Sequence, residues 1–172
     1  MPNTKPVGVA FSDPELTSGT TITGATIDST TKVLSNIGSG FAAAQQGATI
    51  ATTGNSDVYV IAPAAGTLTA ARFSGVDVLA ASNTDYITFT ITNLGQAGAG
   101  SAAMLAATDA NTTKSTGGTA LAANTLRNLS LNGTAANLVV AAGDRLRIRA
   151  AATGTLANTV TFPVYSLSFS VL

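Results

Sequence analysis

From Asp57 onward, apolar and polar residues alternate in short runs. The run YITFTIT (86–92) sets Ile87, Phe89 and Ile91 against Thr88, Thr90 and Thr92. That is the period of two with which side chains leave a β-strand. VYSLSFSVL (164–172) repeats it, with Tyr165, Leu167, Phe169 and Val171 against three serines. RLRIRA (145–150) sets Leu146, Ile148 and Ala150 against Arg145, Arg147 and Arg149. VYVIA (58–62) is apolar throughout and predicts a strand buried on both faces. TLTAARF (67–73), LRNLSL (126–131) and NLVV (137–140) read as further strands, separated by glycine-bearing turns such as NGT (132–134), AAGD (141–144) and TGT (153–155). The alternation places Tyr165 in the core and turns Tyr86 toward solvent.

Two stretches depart from this rhythm. GSAAMLAATDAN (100–111) is alanine-rich behind Ser101, a residue suited to an N-cap, and predicts one short helix. Residues 1–50 are small, polar and threonine-rich, with Pro2, Pro6 and Pro14 barring an early helix. They read as an extended N-terminal arm with short strands around Ile22 and Ile27. Residues 51–172 read as one domain. About eight short strands at regular spacing predict an all-β fold, a jelly-roll-like antiparallel β-sandwich. The paired segments APAAGTLTAARF and VVAAGDRLRIRA read as two similar turns in that sandwich rather than a duplication.

Composition narrows the chemistry. The 172 residues contain no cysteine and no histidine. Thiolate nucleophiles, imidazole relays and the usual cysteine and histidine metal ligands are therefore excluded. Only 9% of residues are charged and the formal net charge is zero, so no overall field gathers a polyanion. Hydrophobic residues make up 45% and mean hydropathy is positive, unlike a disordered chain. Such a balance suits a protein that works with part of its surface covered. The opening MPNTKPVGVAFSDPEL lacks the apolar core of a secretory signal, and no apolar run is long enough to span a bilayer. No membrane partner and no cofactor are expected.

Few constellations remain. The eight carboxylates propose no facing pair of the kind a glycosidase needs, and several sit beside turns, where aspartate caps backbone. DANTTKSTGG (109–118) is oxygen-rich but holds a single acid and lacks the ligand order of a calcium loop. GQAGAG (95–100) lacks the Lys-Ser/Thr of a phosphate loop. The arginine stripe is the sharpest feature. Nucleic-acid binding would want more basic residues and interleaved aromatics than this chain has. Arg145, Arg147 and Arg149 read instead as an outward strand face, paired with acids such as Asp57, Asp77 or Asp85, or meeting another protein surface. No enzymatic activity is expected.

The stretch from VYVIAPAAGTLTAARFSG through AATDANTTK to NLVVAAGDRLRIRAAATGT resembles the jelly-roll head decoration (cement) proteins of tailed bacteriophages. The resemblance covers roughly 57–172. It implies a virion structural protein, made in the host cytoplasm, that binds the outer capsid surface as a homotrimer and bridges major capsid subunits. It supplies no catalytic residues. The alternative is a receptor- or glycan-binding jelly-roll module of a phage fibre or surface adhesin.

Overall fold

The computed structural model describes residues 40–171, so the expected strands around Ile22 and Ile27 lie outside the described residues. The described chain is an all-β sandwich of two antiparallel sheets. Its strands are β1 (Gly40–Gln46), β2 (Gly54–Ile61), β3 (Gly66–Ser74), β4 (Tyr86–Asn93), β5 (Ala102–Ala103), β6 (Arg127–Leu129), β7 (Val139–Val140), β8 (Arg145–Thr153) and β9 (Val164–Val171). One sheet has the order β1-β9-β3-β6, with β7 also on β3; the other has the order β2-β8-β4-β5. The sandwich thus includes Gly40–Gln46, which the sequence pattern grouped with the arm; β1 pairs with β9 along its whole length.

The pairing is nested. Among the described strands the first meets the last (β1 with β9), β2 meets β8, β3 meets β6, and β4 meets its successor β5. Rolling this long hairpin brings β9 onto β3 and β8 onto β4, which closes each sheet. Every pair is antiparallel.

Alternation builds the core between the sheets. Leu146, Ile148 and Ala150 of β8 and Ile87, Phe89 and Ile91 of β4 are essentially sealed from solvent. They face Leu68, Ala71 and Phe73 of β3 and Tyr165, Leu167 and Phe169 of β9. Phe73 lies 4.6 Å from Phe89 and 5.3 Å from Tyr165 between ring centroids, joining the two sheets through one aromatic cluster. Each large side chain buried here contributes about 1.5–3 kcal/mol. Leu68 and Phe73 have opposite parity in sequence, yet both face inward. A register shift between Leu68 and Ala70 against β9 reconciles them, with Thr69 pushed outward and its hydroxyl donating to the Ser168 carbonyl.

Three expectations are corrected. VYVIA is not buried on both faces: Val58, Val60 and Ala62 are inside, but Tyr59 and Ile61 are 45% and 56% exposed. β2 is an edge strand of its sheet, and Tyr59 and Ile61 lie on its outer side. The alanine-rich 100–111 stretch is not an α-helix capped by Ser101. The Gly100 N–H donates to the Leu94 carbonyl, Met104 to Ile91 and Ala106 to Ser130, so its backbone follows the strands. Only Asp109–Asn111 makes a 3-10 turn, and a second one spans Ala135–Leu138 where NLVV was expected to begin as strand. Sheet pairing and the burial of Met104 and Leu105 outweigh alanine's helix propensity.

Candidate functional site

The outer face of the β2-β8-β4-β5 sheet gathers Arg145, Arg147, Arg149 and Asp57. On β8, Arg145, Arg147 and Arg149 point away from the sealed Leu146, Ile148 and Ala150. Register places Ile61, Tyr59 and Asp57 of β2 opposite these three arginines in turn. On the other flank, Thr92 of β4 faces Arg147 and Thr90 faces Arg149.

The three arginines have different surroundings. Arg149 grips Asp57 with two parallel bonds, Nε to Oδ1 at 2.6 Å and Nη2 to Oδ2 at 2.7 Å. This bidentate geometry holds the Asp57 carboxyl below its ordinary range, and the field of the neighbouring Arg147 adds to it. Of the acids named from sequence, Asp57 is the partner. Asp77 instead accepts from the N–H and hydroxyl of Thr161, and Asp85 from Thr84 and the Thr155 N–H; both carboxyls are lowered by those bonds. Arg145 lies over the Tyr59 ring, 4.7 Å from its centroid. Arg147, between Tyr59 and Thr92, pairs with no carboxylate among the described residues. Its Nε is buried without a hydrogen-bond partner.

Beside these arginines lies a groove of about 540 Å³, lined among others by Thr90, Thr92, Arg147, Arg149, Asp109 and Lys114. Its far wall exists because the chain leaves the sheet edge. Met104 N–H bonds the Ile91 carbonyl and Thr113 N–H bonds the Ile87 carbonyl, which anchors both ends of the excursion on β4. Between them the chain crosses to the opposite sheet. Asn111, 1% exposed, clips it there: Nδ2 donates to the Ala106 and Ser130 carbonyls at 2.8 Å each, and Oδ1 accepts from the Ser130 N–H at 2.7 Å. This wall brings Lys114 to the groove, bonded to Asp109 at 2.8 Å and lying 4.9 Å from the Tyr86 ring centroid. The Asp109 contact raises the Lys114 pKa.

A second hollow of about 350 Å³ lies beside Leu126 and Arg127. Arg127 is engaged there: its guanidinium donates to the carbonyls of Thr119, Ala110 and Thr112, and burial lowers its pKa. Among the described residues, no group of acids could hold a metal ion and no helix is long and apolar enough to cross a membrane.

Sequence pattern located the arginines and the threonine face of β4, and it named Asp57. It missed Lys114 and Asn111, which reach the groove through a crossing that local periodicity does not encode. No protein-family model, curated protein or solved structure matches this chain.

Proposed function

We propose that the chain is a virion structural protein, a capsid decoration (cement) protein that binds the outer head surface as a homotrimer and stabilises the shell by bridging major capsid subunits. It is a binding protein and not an enzyme; it takes no cofactor, nucleic acid or membrane, and it resides on the virion. The observation that carries this reading is the winding. A long antiparallel hairpin, rolled so that β1 pairs with β9 and β1 to β4 alternate between the two sheets, supports a jelly-roll reading, a fold common among capsid proteins. The phage-like segments of 57–172 occupy that winding, and its outer face carries arginine and tyrosine, residues enriched at protein contacts.

The mechanism is linkage. A protein that binds the assembled shell and not its free subunits stabilises the shell by mass action. A trimer engaging several sites converts modest contacts into firm attachment. The test is light scattering of the full-length chain, then co-sedimentation with heads of the encoding virus assembled without it. A trimer that sediments with the heads and raises their melting temperature is expected. A monomer that stays in the supernatant overturns the reading, and binding to glycans instead of heads transfers the protein to the fibre or adhesin class.

A further inference from the structure

We infer that the groove beside β8 is a carboxylate-binding site, and that its ligand is an acidic, extended segment of a partner polypeptide held by the Arg147 guanidinium. The inference rests on the docking role proposed above and gives its chemistry.

Charge supplies the first argument. The face and groove hold four cations (Arg145, Arg147, Arg149 and Lys114) against two carboxylates, Asp57 and Asp109. Asp57 is held by Arg149 and Asp109 by Lys114. Among the described residues, the positive charge without a carboxylate partner on this face is therefore concentrated at Arg145 and Arg147, and Arg145 already covers Tyr59. Arg147 remains, with its Nε out of water and unbonded, flanked by Thr92 and by a groove with room for a peptide backbone. A carboxylate accepting from the outward nitrogens of this guanidinium neutralises a charge that no described carboxylate meets.

The partner's class follows from what surrounds Arg147. Tyr59 and Ile61 are exposed on the adjoining strand, so apolar and aromatic surface sits beside a cation. That composition fits a polypeptide contact. A saccharide would want an open ring face to stack on. The Tyr59 ring lies beneath Arg145, and the groove-lining Phe89 is sealed in the core. A second copy of this chain, docked face to face by two-fold symmetry, would set arginines against arginines. Away from this face, the described carboxylates are engaged: Asp77 and Asp85 cap loops, and Asp144 accepts from Asn93 and the Ala141 N–H. Among the described residues, a second copy therefore offers this face no free carboxylate.

The test uses the full-length chain and a blocked hexaglutamate peptide at low salt, read by calorimetry and by the arginine Nε–H resonances. Saturable binding is expected, with the Arg147 Nε–H signal moving and affinity falling as salt rises. Arg147→Gln should weaken the peptide at least tenfold, Arg147→Lys should weaken it less, and Arg72→Gln on the opposite sheet should leave it unchanged. Because Arg147 faces outward, the variants should keep the wild-type urea midpoint. Absence of binding, binding indifferent to Arg147→Gln, or equal or tighter binding of hexagalacturonate overturns the inference. Two further outcomes separate it from the capsid reading. If Arg147→Gln sediments with heads as well as wild type, the groove fails and the capsid role stands. If wild type binds hexaglutamate through Arg147 but ignores heads, the capsid role fails and the groove stands.

Discussion

Tyr165 and Asp57 show how single side chains trade burial against partnership. Tyr165 is 1% exposed, its ring packs on Phe73, and its hydroxyl has no hydrogen-bond partner. Burial pushes its pKa well above the usual tyrosine value, so the group stays neutral. A buried, unpaired hydroxyl carries a desolvation penalty that an apolar replacement avoids. Tyr165→Phe is accordingly expected to hold or raise stability, by up to about 1 kcal/mol in urea unfolding. A loss above that would show that the hydroxyl is satisfied. Asp57 behaves in the opposite sense. Its folded pKa lies below the unfolded value of about 3.9, as do those of Asp77 and Asp85. The unfolded chain therefore binds protons first as pH falls. The stabilisation is complete above about pH 5 and is lost as pH drops through the folded values. Asp57→Asn should reduce stability at neutral pH by about 1 kcal/mol, the scale of a well-formed exposed ion pair. The two urea midpoints should converge in acid; a constant gap at every pH would contradict this. The same pair shapes any mutagenesis of the stripe, because removing Arg149 orphans Asp57, whereas removing Arg147 orphans nothing among the described residues.

At the scale of elements, the excursion between β4 and β6 forms the groove wall, and Asn111 is its fastener. Asn111→Ala deletes three hydrogen bonds at a buried position and leaves backbone groups of Ala106 and Ser130 unpaired, so a loss of about 2–3 kcal/mol is expected in denaturant unfolding. Gly118→Ala should also destabilise, since an added Cβ would sit 2.6 Å from the Lys114 and Thr112 backbone. If both variants keep the wild-type midpoint, the wall is not held as described. These elements also divide what could be read in advance from what could not. Strict alternation made β4, β8 and β9 legible, including Tyr165 in the core, because one face of each is buried. VYVIA misled because apolar residues on both faces of a strand do not specify a cover for both. The inward placement of both Leu68 and Phe73 needed a bulge, which neither residue signals alone. The 100–111 stretch misled because alanine's propensity is small beside the pairing available to Met104 and Ala106.

For the whole molecule, low charge with one cationic face predicts two kinds of association with different salt responses. Docking through Arg145 and Arg147 should weaken as ionic strength rises from about 0.05 M to about 0.5 M, since the screening length contracts to a few ångströms. Self-association through weakly charged surfaces should not. Sedimentation with and without heads across that range checks both, and a trimer that dissolves in salt while head binding persists would reverse the assignment. Histidine is absent, so no side chain with an ordinary pKa between about 5 and 8 titrates, and attachment should be flat across that range.

The nested pairing has a kinetic consequence. Gly40 meets Ser170, so β1 finds its partner only when nearly the whole described chain exists. On the ribosome, the hairpin tip of β4 and β5 can close early, but β1 and β2 must wait for β9 and β8 to emerge. Closure of such distant ends is entropically slow, and folding should resemble the slower all-β domains. Until it completes, Phe41, Val58 and Val60 lack the partners that cover them. Synthesis of this protein therefore leaves an uncharged strand, GFAAAQQ, open for the length of translation, and cells making it in quantity would depend on holding that segment apart from its copies.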